Sequence, residues 1–459
     1  MQAQTLAAIR FGTGLSPRLG APDGAEGLLA GLTRADEAVA RFPVRSFGDR
    51  LADGRQYAEL NTARREGGEA ERQAMRDFVR SRNRSALMDL AAQLGRAALG
   101  PDPFRERLVL FWANHFTIRA RNPRLQAAVP AYVDAAIRPN VAGSFSELLR
   151  AAVLHPMMLQ FLDQHVSAGP GSRAARRGRR GLNENLAREV LELHTLGSDG
   201  SYGQADVEGL ARVLTGASFN FDEGFEFREA MAEPGVIRVL GREYGGPRPR
   251  SPGELADIEA VLDDLSRHPD TARHIARKLA IHFIGDDPDP ALVAHLAERF
   301  IATDGALLPV YEALLEHPAA WVPRLAKARM PFDFLAAGLR ALDLNPMGLE
   351  GKWDLLNRHF NQPLELMGQP YQRPPSPAGW PEAAMAWISP QGLAARIKWA
   401  MAAPRALARR KGDAPDPRAF LETALADAAD ADLRFAAAGA ESRWDGVGVV
   451  LASPAFNRR

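Results

Sequence analysis

Apolar residues recur at helical spacing along most of the chain. Phe104, Leu108, Phe111 and Trp112 fall on one stripe, and comparable three-to-four-residue periodicity predicts helices over 85–98, 104–115, 127–137, 145–154, 184–194, 205–214, 254–266, 272–283, 290–302, 331–341 and 392–402. Alternation suited to a strand is confined to short stretches such as 236–240. The pattern therefore predicts a mainly α protein, a multi-helix globular, bundle-like assembly with short irregular or β insertions.

Polar residues punctuate these helices. Ser144 and Glu147 have capping-box spacing, and Asn183 precedes a helix whose first residue, Glu184, suits the positive end of the dipole. Gly197 and Gly200 close that helix and Asp206 opens the next, which predicts a helical hairpin. Three segments break the periodicity: the basic loop GPGSRAARRGRRG at 169–181, the Gly/Pro-rich stretch 219–250, and the Pro- and aromatic-rich stretch 370–390.

A length of 459 residues exceeds one ordinary core. The least arbitrary division falls near 250, giving an N-terminal helical region (1–250) with the NENLARE helix and basic loop, and a C-terminal helical region (251–459) with the Pro/Trp-rich loop. The 57 basic residues offset 56 acidic ones, so net charge makes no case for nucleic acid as a partner. With no cysteine, thiolate metal sites, thiol nucleophiles and disulfides are excluded. No apolar run approaches the ~20 residues of a membrane span. The start, MQAQTLAAIRFGTGLSPRLG, does not read as a signal peptide, so the cytoplasm is expected, or the periplasm if a leader had been removed.

Candidate chemistry concentrates on 183–194, NENLAREVLELH. Glu184, Arg188 and Glu192 recur every four residues and share one face, while Glu189 and His194 point elsewhere. This is the spacing of a solvated ion-pair ladder. Apolar residues in more than one direction (Leu186, Ala187, Val190, Leu191, Leu193) instead favour a helix buried on several sides, where carboxylates and an arginine need partners. Neither HExxH nor the Glu-x-x-His pairing of bundle di-metal sites occurs, and a divalent metal stays open only as a site assembled from separate segments.

His115 closes the 104–115 stripe, with Asn114 and Thr117 adding polar groups at the same end. His155, before Pro156, marks a helix boundary, and His274 and His282 read as structural. Arg173, Arg176, Arg177, Arg179 and Arg180 form either a solvated linker or a clamp for an anionic group. No P-loop, dinucleotide fingerprint or GxSxG elbow is present.

RFGTGLSP near the start, FWANHFT at 111–117, HPMMLQFLD at 155–163, NENLAREVLELHTLG at 183–197, YGQADVEGLARVLTG at 202–216, HPDTARHIARKLAIHF at 268–283, PPSPAGWPEAAMAWISP at 374–390 and the final LASPAFNRR occur in the order of a bacterial family, domain of unknown function 1800, which the chain closely resembles. The resemblance implies a mainly helical fold but no defined reaction. It also implies a periplasmic or surface partner, because members often look exported and are encoded beside a sulfatase-like family. Asn183, Glu184, Asn185, Arg188, Glu189 and Glu192 match the family signature; His194 matches only some members. Two positions depart from it: Ala217 stands where the family has Trp, and Ala232 stands where a His precedes the acidic-Pro-Gly turn.

Two functions are expected from this reading. One is an enzyme acting on a polar or anionic, glycan-like substrate by acid/base or metal-assisted hydrolysis or group transfer. Glu189 or Glu192 would be its base or ligand, Arg188 its orienting cation and His115 its proton carrier, with Asn183, Glu184, Asn185, Asn114, Arg177 and Arg180 binding substrate. The other is a non-catalytic helical scaffold that binds a protein or polysaccharide through the basic loop or the Trp380–Trp387 segment.

Overall fold

The computed structural model describes residues 1–178, 181–246, 251–408 and 414–459. Helix dominates, and strand among these residues is limited to two antiparallel hairpins, Ala217–Asn220 with Gly224–Phe227 and Ile237–Val239 with Arg242–Tyr244. The mainly α expectation holds. None of the described helices is long and apolar enough to cross a membrane.

Local chemistry sets most boundaries. Ser144 accepts from the Glu147 N–H while Glu147 reaches back to the Ser144 N–H, the expected capping box. His155 Nδ1 accepts from Met157 N–H, marking the boundary read from the sequence. Pro103 begins the helix Pro103–His115 where its missing N–H costs nothing, and Phe104, Leu108, Phe111 and Trp112 are buried. Trp112 Nε1 donates to the Tyr311 hydroxyl at 2.7 Å, which donates to the Val141 carbonyl at 2.8 Å, so the stripe's one polar group is satisfied.

Periodicity misses the helix Phe47–Glu66 and the first half of Glu69–Leu99. Both are rich in Arg, Glu and Asp, and form an antiparallel, largely solvated hairpin with little apolar face to detect. The second half of Glu69–Leu99 turns apolar and enters the core.

Two hydrophobic cores result. The first draws on residues from Ala7 to Ala320, and position 250 lies within that span. The second combines Phe42 and the 90–99 turns with residues from Phe334 to Phe456. Pro331–Ala341 packs on Glu69–Leu99, so segments over 200 residues apart in sequence share one interior.

Candidate active site at the junction of the two cores

The helix beginning at Asn185 is entered as expected: Asn183 Oδ1 accepts the Asn185 N–H at 2.9 Å. Leu186, Ala187, Val190 and Leu191 are buried. Arg188 is not. Its side chain is 45% exposed and pairs at 3.0 Å with Glu184, itself 33% exposed, and with the amide of Gln204. The expected buried acid–arginine network gives way to a solvated i,i+4 pair, because the residues at 184 and 188 face outward while Leu186, Ala187, Val190, Leu191 and His194 face the core. Glu189 and Glu192 are half-buried. Burial, then the neighbouring Glu192 carboxylate, raise the Glu189 pKa against the pull of Arg188.

The last turn of this helix, Val190–His194, widens to π geometry, with the Thr195 hydroxyl donating to the Val190 carbonyl at 2.6 Å and Gly197 (φ +88) turning the chain. The turn leaves carbonyls without helical partners, and imidazoles from elsewhere fill them. His274 Nε2 lies 3.1 Å from the Leu193 oxygen and His115 Nε2 lies 3.1 Å from the His194 oxygen. Each ring donates through Nε2–H as its neutral tautomer. Burial, then Lys278, drives His194 down to about 3 and His274 down to about 4. His115 is pushed well below the ordinary histidine range by burial, then Lys278 and the other two rings. His115 therefore caps a helix, and no hydrogen bond or ion pair among the described residues joins it to Glu189 or Glu192.

A different set converges between the cores. A cavity of about 160 Å³ is walled by Leu110, Ile118, Val133, Phe332, Leu364 and Tyr371, with Arg107, Asn114, His282, Asp333 and Glu382 among its polar groups. That volume admits roughly a benzene-sized molecule. One wall is the segment that follows Pro374. Asn114 holds it in a two-point clasp, donating to the Trp380 carbonyl at 3.0 Å and accepting the Trp380 N–H at 2.7 Å. Gly379 (φ +81) lets the backbone approach so closely that a Cβ there would sit 2.5 Å from the Asn114 carbonyl oxygen.

Asn114 thus brings Glu382 to the cavity. Its Oε1 lies 2.8 Å from His282 Nδ1, and His282 Nε2 is sealed with no hydrogen-bond partner. Burial raises Glu382, but His282, Arg459 and Lys327 outweigh it and hold the carboxyl down to about 2. Burial keeps His282 down to about 4 although Glu382 opposes it. At neutral pH the pair is a carboxylate and a neutral imidazole, with Nδ1–H donating to Glu382 and the Nε2 lone pair unused.

Arg107 and Asp333 line the cavity, and the interior behind them carries an excess of positive charge. Arg107 pairs with Asp333 and donates to the Gly12 carbonyl at 2.6 Å; Arg459 lies 3.5 Å from Asp333 and donates to the His282 carbonyl at 2.8 Å. Arg329 and Arg396 stand behind them on backbone carbonyls, and Lys327 pairs with Asp286 at 2.6 Å. Burial raises Asp333, yet Arg107 and Arg459 bring it below the usual carboxylate range. Five cations here face the carboxylates of Asp286, Asp333 and Glu382.

Of the residues named in the sequence analysis, Asn114, Thr117, His282 and Trp380 line this cavity; His115 lies one residue beyond Asn114, and Asn183, Glu184, Asn185, Arg188, Glu189 and Glu192 sit on or at the start of the separate NEN helix. Arg177 is exposed after the short turn Arg173–Arg176, Arg173 makes an exposed pair with Glu229, and Arg179 and Arg180 lie outside the described residues. Trp387 is buried and Trp380 half-buried, so these rings pack inward as part of the cavity segment. Ala217 and Ala232 are both sealed, and Ala232 packs beside Gly216. Among the described residues, no three His, Asp or Glu side chains come together as a metal would require. The sequence analysis read His282 as structural and did not single out Glu382, because 100 residues separate the two and nothing local to either pairs them.

No curated protein and no solved structure matches the chain. A family model described as "Protein of unknown function (DUF1800)" matches residues 7–458, and the chain belongs to that family.

Proposed function

We propose that the protein is an enzyme in which His282, oriented by Glu382, acts as the general base on a small polar or anionic molecule held in the junction cavity. The observation that carries this reading is the 2.8 Å Nδ1–Oε1 contact on a histidine that lines the cavity and whose Nε2 has no protein partner; that nitrogen is sealed in this structure, so a substrate reaches it only once the wall beside it opens. A carboxylate that fixes one tautomer and leaves the other nitrogen free is the arrangement that proton abstraction requires. The surplus of guanidinium groups behind the cavity supports an anionic group on the substrate, and the apolar walls support a compact body. Hydrolysis or group transfer then begins with removal of a proton from water or a substrate hydroxyl by His282 Nε2, the charge on the ring being balanced by Glu382.

The test is a turnover screen of small phosphate esters, carboxylate esters and sugar acids, followed by His282→Asn and Glu382→Gln. Both variants are expected to lose at least about a hundredfold in kcat while the substrate still binds. Equal turnover by wild type and His282→Asn would overturn the reading.

A scaffold is the second reading, favoured by one observation: Arg107–Asp333 links segments 226 residues apart, a bond that serves architecture equally well. Binding of a polysaccharide or protein partner without turnover, unaffected by His282→Asn, would select it.

A further inference from the structure

Lysine is scarce in this chain. Among 57 cationic side chains only positions 278, 327, 352, 398 and 411 are lysine, and every other is arginine. The interior follows that preference, with Arg10, Arg50, Arg96, Arg107, Arg138, Arg329, Arg340, Arg396 and Arg459 all buried on carboxylates or backbone carbonyls. A guanidinium holds an anion in a two-point fork and stays charged; a lysine amine holds it less specifically but can be neutral. A lysine retained in such an interior points to a need for the amine itself.

Lys327 does not show that need, because Asp286 accepts from its ammonium at 2.6 Å. Lys278 differs. It lies on the helix Pro269–Phe283 one turn from His274 and one turn from His282, all on the same face. Among the described residues it has neither an ion pair nor a hydrogen bond, and it is half-buried, so its nitrogen is not sealed as His115 Nδ1, His194 Nδ1 and His282 Nε2 are. The titratable groups that act on it are His115, His194, His274 and Glu382, the last beyond ion-pair distance. Its neighbours are thus mostly neutral imidazoles. Burial pulls its pKa down to about 8, with Glu382 opposing.

From this placement, an unpaired amine on one helix face between His274 and His282, we infer that Lys278 is a nucleophilic amine that takes a small carbonyl compound, an aldehyde or ketone, and converts it to an imine. The nitrogen lone pair attacks the carbonyl carbon, a C–N bond forms and the C=O π bond breaks. The carbinolamine then loses its oxygen as water, which carries away both amine protons, leaving C=N; no oxidant or reductant is consumed. This inference does not depend on the role given to His282, since imine formation needs no turnover.

The experiment traps the imine. The full chain is treated at pH 7.5 with limiting glycolaldehyde and cyanoborohydride, and modified lysines are mapped by peptide mass spectrometry. Lys278 is expected to be alkylated at least about tenfold faster than the exposed Lys352 and Lys398, the lowered pKa of its unpaired amine leaving far more of it neutral at pH 7.5 while its half-buried position slows access, with Lys327, held by Asp286, slowest. Wild-type protein in which Lys278 reacts no faster than Lys352 and Lys398 overturns the inference. In Lys278→Arg the fast alkylation is expected to vanish while the other lysines keep their rates; a fast site surviving in that variant would also overturn it.

Discussion

Asn114 and Trp380 hold each other by both faces of one amide: the side-chain nitrogen donates to the Trp380 carbonyl and the side-chain oxygen accepts the Trp380 N–H. The two residues are 266 positions apart, and this clasp sets the cavity segment against the Pro103–His115 helix. Asn114→Ala strands a backbone donor and acceptor together and is expected to cost about 2 kcal/mol. Gly379→Ala, which adds a Cβ at φ +81 against the Asn114 carbonyl, is expected to cost a similar amount. Denaturant unfolding checks both, and Trp380 fluorescence should shift red in each variant.

Stability should fall with acid well before the carboxylates titrate. For His194, His274 and His282 the folded pKa lies below the unfolded value near 6.5, so between those values the unfolded chain binds protons that the folded chain refuses. Their contribution is whole above about pH 6.5 and is lost as pH falls toward about 4, by up to about 1.4 kcal/mol per pH unit for each ring. Glu382, held down to about 2, adds a loss that begins only below its unfolded value of 4.5. Unfolding free energies at pH 7.5, 6 and 5 measure the slope; a flat profile across this range would contradict the buried neutral rings.

Removal of two arginines should separate a solvated pair from a buried one. Arg188→Ala is expected to cost under about 1 kcal/mol, since its pair with Glu184 stays in water. Arg107→Ala strips Asp333 of its closest counter-charge in the interior and is expected to cost about 3 kcal/mol or more. Thermal melts of the two variants should differ by about 2 °C or more, and equal losses would refute the assignment of Arg188 to the surface.

Glu189 offers the opposite sign. Its carboxylate is half-buried beside Glu192 with no cation at ion-pair distance among the described residues, and its folded pKa is raised. The cost of its charge builds as pH rises from the unfolded value of 4.5 to the folded pKa and is complete above it, so Glu189→Gln is expected to leave the melting temperature unchanged or raise it at pH 7.5 and to have less effect at pH 4. A clear loss of stability at pH 7.5 would reveal a partner for the carboxylate.

Helix class and many helix limits were legible because they rest on local rules: the Phe104–Trp112 stripe, the Ser144–Glu147 box and the Asn183 cap each need only a few neighbouring residues. The Phe47–Glu66 helix was not, since its stability comes from capping and from a charged partner helix, neither of which leaves an apolar rhythm. Within the NEN motif the spacing identified the ion pair but not its exposure, which depends on what packs over Glu184 and Arg188. Asn114 was found from its place at a helix end. His282 and Glu382 were not paired, because their contact is created by a long-range fold and by the Asn114 clasp.

The two cores share one consequence that concerns time. The cavity takes walls from the first third of the chain, Arg107 and Asn114, and from its last third, Phe332, Asp333 and Glu382. Contacts of such sequence separation close late and slowly. While the chain is being synthesised, the N-terminal helices emerge with Arg107 unpaired and the cavity face bare, a surface open to chaperones or to misassembly until residues 331–382 arrive.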